Sequence, residues 1–122
     1  MSFGKTTPVL HIDDEGKVLA FYIDFLGFFV DWQHRFEPGF PLYLQVSRGD
    51  CVLHLSEHKG DAKPGAALRI ETDELEAFRA QLLDSAGGEV PPEIQAMPWG
   101  SLDMTLHDPF GNRLVFTNAI CV

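Results

Sequence analysis

His54 and His58, with Glu57 between them, are the first residues of this 122-residue chain whose type and spacing suggest chemistry, because imidazole and carboxylate groups bind transition metals. The run His-Leu-Ser-Glu-His is not the helical metalloprotease motif. On a strand, positions 54 and 58 can share a face yet stand about 13 Å apart, too far to chelate together. A metal would need His11 or His107 to approach His54 in the fold; otherwise His54 is a lone pocket imidazole. Cys51 and Cys121 have no identifiable base, so a thiol nucleophile lacks support. A glycine-rich phosphate loop is also missing.

The aromatic residues offer a different chemistry. Strand alternation places Leu53 and Leu55 toward a covering helix and Val52, His54 and Ser56 on the opposite face. The same rule puts Val30, Trp32, His34 and Phe36 on one face of their strand and Asp31, Gln33 and Arg35 on the other. Tyr43 and Gln45 oppose Leu42, Leu44 and Val46. Trp32, Tyr43 and His54 are therefore expected in a concave trough, where a flat organic ligand stacks well. The plainer alternative for Trp32 is a core or interface aromatic.

The elements that must position these side chains occur twice in one order. A short strand at 7–12 precedes a helix opened by Asp13, Asp14 and Glu15, carrying Val18, Phe21, Tyr22 and Phe25 with Leu19, Ile23 and Leu26 widening the apolar face, and stopped at Gly27. Strands at 28–36, 42–47 and 51–57 follow, separated by turns at Glu37-Pro38-Gly39 and Arg48-Gly49-Asp50. After the polar linker 58–65, a strand at 66–71 leads to a helix opened by Thr72-Asp73-Glu74, with Leu75, Phe78, Leu82 and Leu83 on one face, and ended by Gly87-Gly88. Strands at 93–97, 101–107 and 113–118 close the set. The order βαβββ–βαβββ reads as an internal duplication, one domain over 1–122 built from repeats at about 6–58 and 66–118. One such unit could not bury its sheet alone.

Charge and composition bound the partners. Nine basic against 18 acidic side chains give a net charge of −9, which repels nucleic acid and favours cationic ligands. The longest mostly apolar stretch, 18–30, is too short to span a bilayer, and the N-terminus lacks the apolar core of a signal peptide. With two cysteines and no disulfide framework, a reducing cytoplasm is the expected compartment.

Thr7-Pro8-Val9-Leu10, the helix Ala20-Phe21-Tyr22-Ile23-Asp24-Phe25-Leu26-Gly27-Phe28, and Pro98-Trp99-Gly100 followed by Asp108-Pro109-Phe110-Gly111-Asn112-Arg113 resemble the glyoxalase/bleomycin resistance superfamily, also called vicinal oxygen chelate proteins. Within it, the chain most resembles the bleomycin resistance branch. The resemblance implies an α+β fold in which two βαβββ modules form a cup-shaped mixed sheet. By position, the metal ligands of the family's enzymes fall here on Thr7, His54, Ala66 or Ala67, and Val115, of which only His54 binds a transition metal. It therefore implies a binding protein without metal or other cofactor, and the alternative is a metal-dependent glyoxalase- or dioxygenase-like enzyme with an unconventional site around His54. The resistance branch further implies a homodimer whose N-terminal strand crosses over near Pro8. Its clefts would sequester a flat cationic molecule such as a glycopeptide antibiotic, with Trp32 and Trp99 matching cleft aromatics and His34 following on the Trp32 face. Asp31, Glu37 and Asp103 are the candidate rim charges.

Overall fold

The computed structural model describes residues 1–85 and 89–119. Gly87-Gly88, expected to end the second helix, and Cys121 lie outside the described residues. The order is β1 (Val9–His11), α1 (Glu15–Val18) continued by a π-helical segment (Leu19–Phe25), β2 (Phe29–His34), β3 (Tyr43–Arg48), β4 (Cys51–Ser56), β5 (Ala67–Glu71), α2 (Leu75–Leu83), β6 (Gln95–Ala96), β7 (Ser101–His107) and β8 (Arg113–Ala119). Each half closes its own four-stranded mixed sheet, ordered β1-β4-β3-β2 and β5-β8-β7-β6. The first and last strands of each half pair in parallel, and the other pairings are antiparallel. Among the described residues no helix is long and apolar enough to cross a membrane.

The helices form where the sequence supplies caps and apolar stripes. Asp14 accepts a hydrogen bond from the Lys17 amide and satisfies one free donor of the first turn. Val18, Phe21, Tyr22, Phe25 and Leu26 are buried, but Leu19 stays exposed instead of widening the stripe. The last turn is wider than an α-helix, with the Leu26 amide bonded to the Phe21 carbonyl. Gly27 then takes φ +79°, and a Cβ there would stand 3.0 Å from Arg48 Nη1, so both backbone and space demand glycine. In α2, Leu75 and Leu82 are buried and Phe78 partly so, whereas Leu83 falls one position past the stripe and is exposed. Residues of both halves, among them Leu10, Tyr22, Leu55, Leu82, Met104 and Leu114, form one continuous apolar cluster.

One strand departs from simple alternation. Between β2 and β3, Val30 pairs with Val46 but Trp32 pairs with Gln45, so a β-bulge inserts Asp31. Val30 therefore sits opposite core-facing Val46 and does not share a face with Trp32. Asp31 joins the trough side, where its carboxylate accepts hydrogen bonds from Gln45 Nε2 and Ser47 Oγ, both at 3.0 Å.

Candidate functional site

β3 and β4 are the floor of the site. Leu44, Val46, Leu53 and Leu55 anchor it in the core, which forces Tyr43, Gln45, Val52 and His54 onto the opposite face. Trp32 lies parallel to Tyr43, with ring centroids 5.9 Å apart and planes 8° from coplanar. His54 meets both rings edge-on, each at 5.3 Å. Trp32 remains 44% exposed, leaving its indole available to solvent. His34 pairs with Tyr43 across the ladder, yet its ring packs against Phe36 at 5.0 Å and so stands at the open end of the trio.

A chain of hydrogen bonds fixes these rings. Tyr43 Oη is 2.7 Å from His54 Nδ1, and Gln45 Oε1 is 2.9 Å from His54 Nε2. Gln45 uses its amide Nε2 on Asp31, so its oxygen accepts from the His54 Nε2–H, and Nδ1 accepts from the tyrosine hydroxyl. Burial and the Asp61 charge push the Tyr43 hydroxyl above its ordinary pKa, which keeps it a donor. The relay Tyr43–His54–Gln45–Asp31 thus ends on a carboxylate beside the exposed indole.

The metal chemistry of the family's enzymes does not fit this donor set. Register places Val9 beside His54 and Arg69 beside Val115, rather than Thr7 and Ala66 or Ala67. Two aliphatic residues and a guanidinium offer no ligand to join His54. Both nitrogens of His54 are engaged by protein groups. His11 pairs with Ser56 and His107 with Arg113, and among the described residues no three His, Cys, Asp or Glu side chains group to hold an ion.

The second sheet carries Trp99, away from the trio. A groove of about 800 Å³ is lined by Trp99, Pro8, Val52, Arg69 and Thr117 among others, and by none of Trp32, His34, Tyr43 or His54. Asp103 is not a rim charge: it is 5% exposed and accepts from Ser101, Thr117 and Arg69, three residues that line the groove. Burial raises its pKa, but the hydrogen bonds of Thr117, Ser101 and Arg69 and the Arg69 charge outweigh that and hold it below the ordinary carboxylate value. Glu37 lies exposed in its turn. Cys51 borders this groove and a second of about 700 Å³, and burial raises its thiol pKa, which makes it a poor nucleophile. The Asp31 placement and the Asp103 network were the features missed by alternation.

A family model described as glyoxalase superfamily protein matches residues 1–121. Among solved structures, a bleomycin-binding protein complexed with bleomycin is similar at 26% identity, covering 95% of this chain and 98% of that one with a TM-score of 0.68. A glyoxalase/bleomycin resistance protein from Streptomyces sp. CB03234 is similar at 25% identity, covering 90% and 96% with a TM-score of 0.70. An antibiotic binding protein from the same organism, at 23% identity, 98% coverage of each chain and a TM-score of 0.74, shares the fold. No curated protein matches the chain in sequence.

Proposed function

The chain belongs to the glyoxalase superfamily, and from that premise we propose that it is a metal-free, homodimeric small-molecule-binding protein of the bleomycin resistance type, a single duplicated domain that sequesters a flat cationic antibiotic or related metabolite. The observation that carries this reading is the pairing of an exposed indole, stacked on Tyr43, with the Asp31 carboxylate on the same face. The trough offers a ring surface for stacking and a negative group for a protonated amine, on a chain of net charge −9. Similarity to a bleomycin-binding protein supports a ligand of this class. His34 extends the aromatic lining, and Trp99 offers a second aromatic surface in the separate groove.

Homodimerisation is supported by the surface left open. All six residues of the edge strand β2 are exposed, including Phe29 at 71%, and its outer ladder is unpaired. The arm 1–6 is exposed as well, and the Pro8 carbonyl accepts from the His54 amide, which suits Pro8 as the pivot of strand exchange.

Titration calorimetry with bleomycin at micromolar protein tests the function. Saturable heat that weakens with added salt is expected. Silence toward bleomycin and related cationic glycopeptides overturns the sequestration reading, and a monomer by light scattering overturns the dimer.

A further inference from the structure

Two walls of the Trp99 groove are tied to one buried carboxylate. Trp99 Nε1 donates to Ser101 Oγ at 2.9 Å, and Ser101 Oγ donates to Asp103 Oδ1 at 2.9 Å. Two strands over in the same sheet, on β5, Arg69 Nη1 donates to Asp103 Oδ2 at 3.3 Å and Nη2 to Thr117 Oγ1 of the intervening β8 at 3.2 Å. Thr117 Oγ1 closes the ring by donating to Asp103 Oδ1 at 2.7 Å. An exposed indole gains little from one hydroxyl contact in water, but here the hydroxyl is itself held by an ionised group, and charge-assisted hydrogen bonds are about twice as strong as neutral ones. The Arg69 side chain is 52% exposed, so its remaining N–H groups are open to the groove while two are spent on the network.

We infer that Asp103 is a positioning residue that sets the Trp99 indole and the Arg69 guanidinium at fixed places, making the groove a preformed subsite for a planar ring bearing a neutral hydrogen-bond acceptor such as a carboxamide. The ring lies against Trp99 and the acceptor takes a free Arg69 N–H. The acceptor is neutral because Asp103 already balances the Arg69 charge, while Asp50 and Glu71 line the same groove and repel an anion. This rests on Trp99 facing the ligand, and it assigns to the second sheet a part of the guest different from the cationic part assigned to Asp31. Fixing both walls before binding removes an ordering cost from association.

The test uses the full-length chain with Trp32→Phe, so that the single indole N–H signal in ¹⁵N NMR reports on Trp99. Ser101→Ala, which removes the acceptor of the indole N–H, is expected to speed exchange of that proton by about tenfold, the change for one lost hydrogen bond, and Asp103→Asn, which removes the charge holding that acceptor, to speed it by a smaller, several-fold factor. An unchanged exchange rate in Asp103→Asn overturns the positioning role; should that variant not fold, an unchanged rate in Ser101→Ala does so, because the indole is then not held through the hydroxyl. Nicotinamide at millimolar concentration is expected to shift the Trp99 signal, and nicotinate to shift it less. Equal or larger shifts from nicotinate, or none from either, overturn the ligand class. The indole exchange reads out without bleomycin, so failure of the antibiotic titration and failure of this assignment are separate results.

Discussion

The Tyr22 hydroxyl donates to Asp108 Oδ2 at 2.6 Å across a sequence separation of 86, joining the helix of the first half to a turn of the second. The same carboxylate accepts from the Phe110 and Asn112 amides and from Asn112 Nδ2, so it is fully occupied although buried. Gly111 takes φ +89° inside this turn, which lets the chain fold back around the carboxylate.

Tyr22→Phe is expected to destabilise the protein by about 1.5–3 kcal/mol, the range for a hydrogen bond to a charged group. Burial, then the Asp108 charge and its hydrogen bond, raise the Tyr22 pKa far above the ordinary tyrosine value. With the native pKa above the unfolded one, this stabilisation is complete below pH of about 10 and is lost as pH rises beyond it. Urea titrations of both proteins from neutral to alkaline pH check this: the gap between them narrows only on the alkaline side.

Trp32→Ala is expected to leave the unfolding midpoint nearly unchanged while weakening bleomycin binding by about tenfold or more, since the indole lies outside the core. Phe21→Ala gives the contrast. Phe21 is 6% exposed and packs edge-on to Tyr22 at 5.0 Å, so its truncation costs about 3–5 kcal/mol. Paired denaturation and calorimetry on both variants separate the ligand face from the core face.

Asp31→Asn keeps hydrogen-bonding capacity toward Gln45 and Ser47 but removes the charge. Its bleomycin affinity is expected to fall several-fold at low ionic strength and to converge on that of the parent protein in high salt. Calorimetry at two salt concentrations decides it; equal loss at both means that Asp31 acts through shape alone.

Asp103 carries an acid-side signature. Its native pKa lies below the ordinary value, so its contribution to stability is complete above pH of about 4 and drains away as pH falls toward the native pKa. Asp103→Asn is expected to flatten the acid limb of the stability curve relative to the parent. Thermal melts between neutral and strongly acid pH measure the two slopes.

Much of this arrangement was legible where one sheet face is buried, because a period of two then admits a single register. Leu53 and Leu55 fix His54 on the other side, and Tyr43 follows from Leu44 and Val46. Trp32 reached the same face for a reason the pattern did not contain: the bulge adds one residue without any glycine at 30–32 to mark it. That extra residue reversed Val30 and brought Asp31 to the indole. Asp103 was expected at a rim as a charge for a cationic guest, but it is buried, and its cation, Arg69, lies 34 positions away on another strand, a pairing that local spacing does not show. Counting positions along β1 and β5 also missed the ladder partners Val9 and Arg69, since register is set by pairing and not by distance from a motif.

Strand pairing stays within each half, with β1 closing on β4 and β5 on β8. Scission of the backbone in the polar segment 62–64 would sever no ladder. The two pieces would remain clasped by their shared apolar cluster and by the contacts Tyr22–Asp108, Arg48–Gln81 and Asn112–His11. Such a molecule lends itself to reconstitution from separately made fragments, one carrying the Trp32 trio and the other Trp99, so that either aromatic surface can be varied in its own fragment.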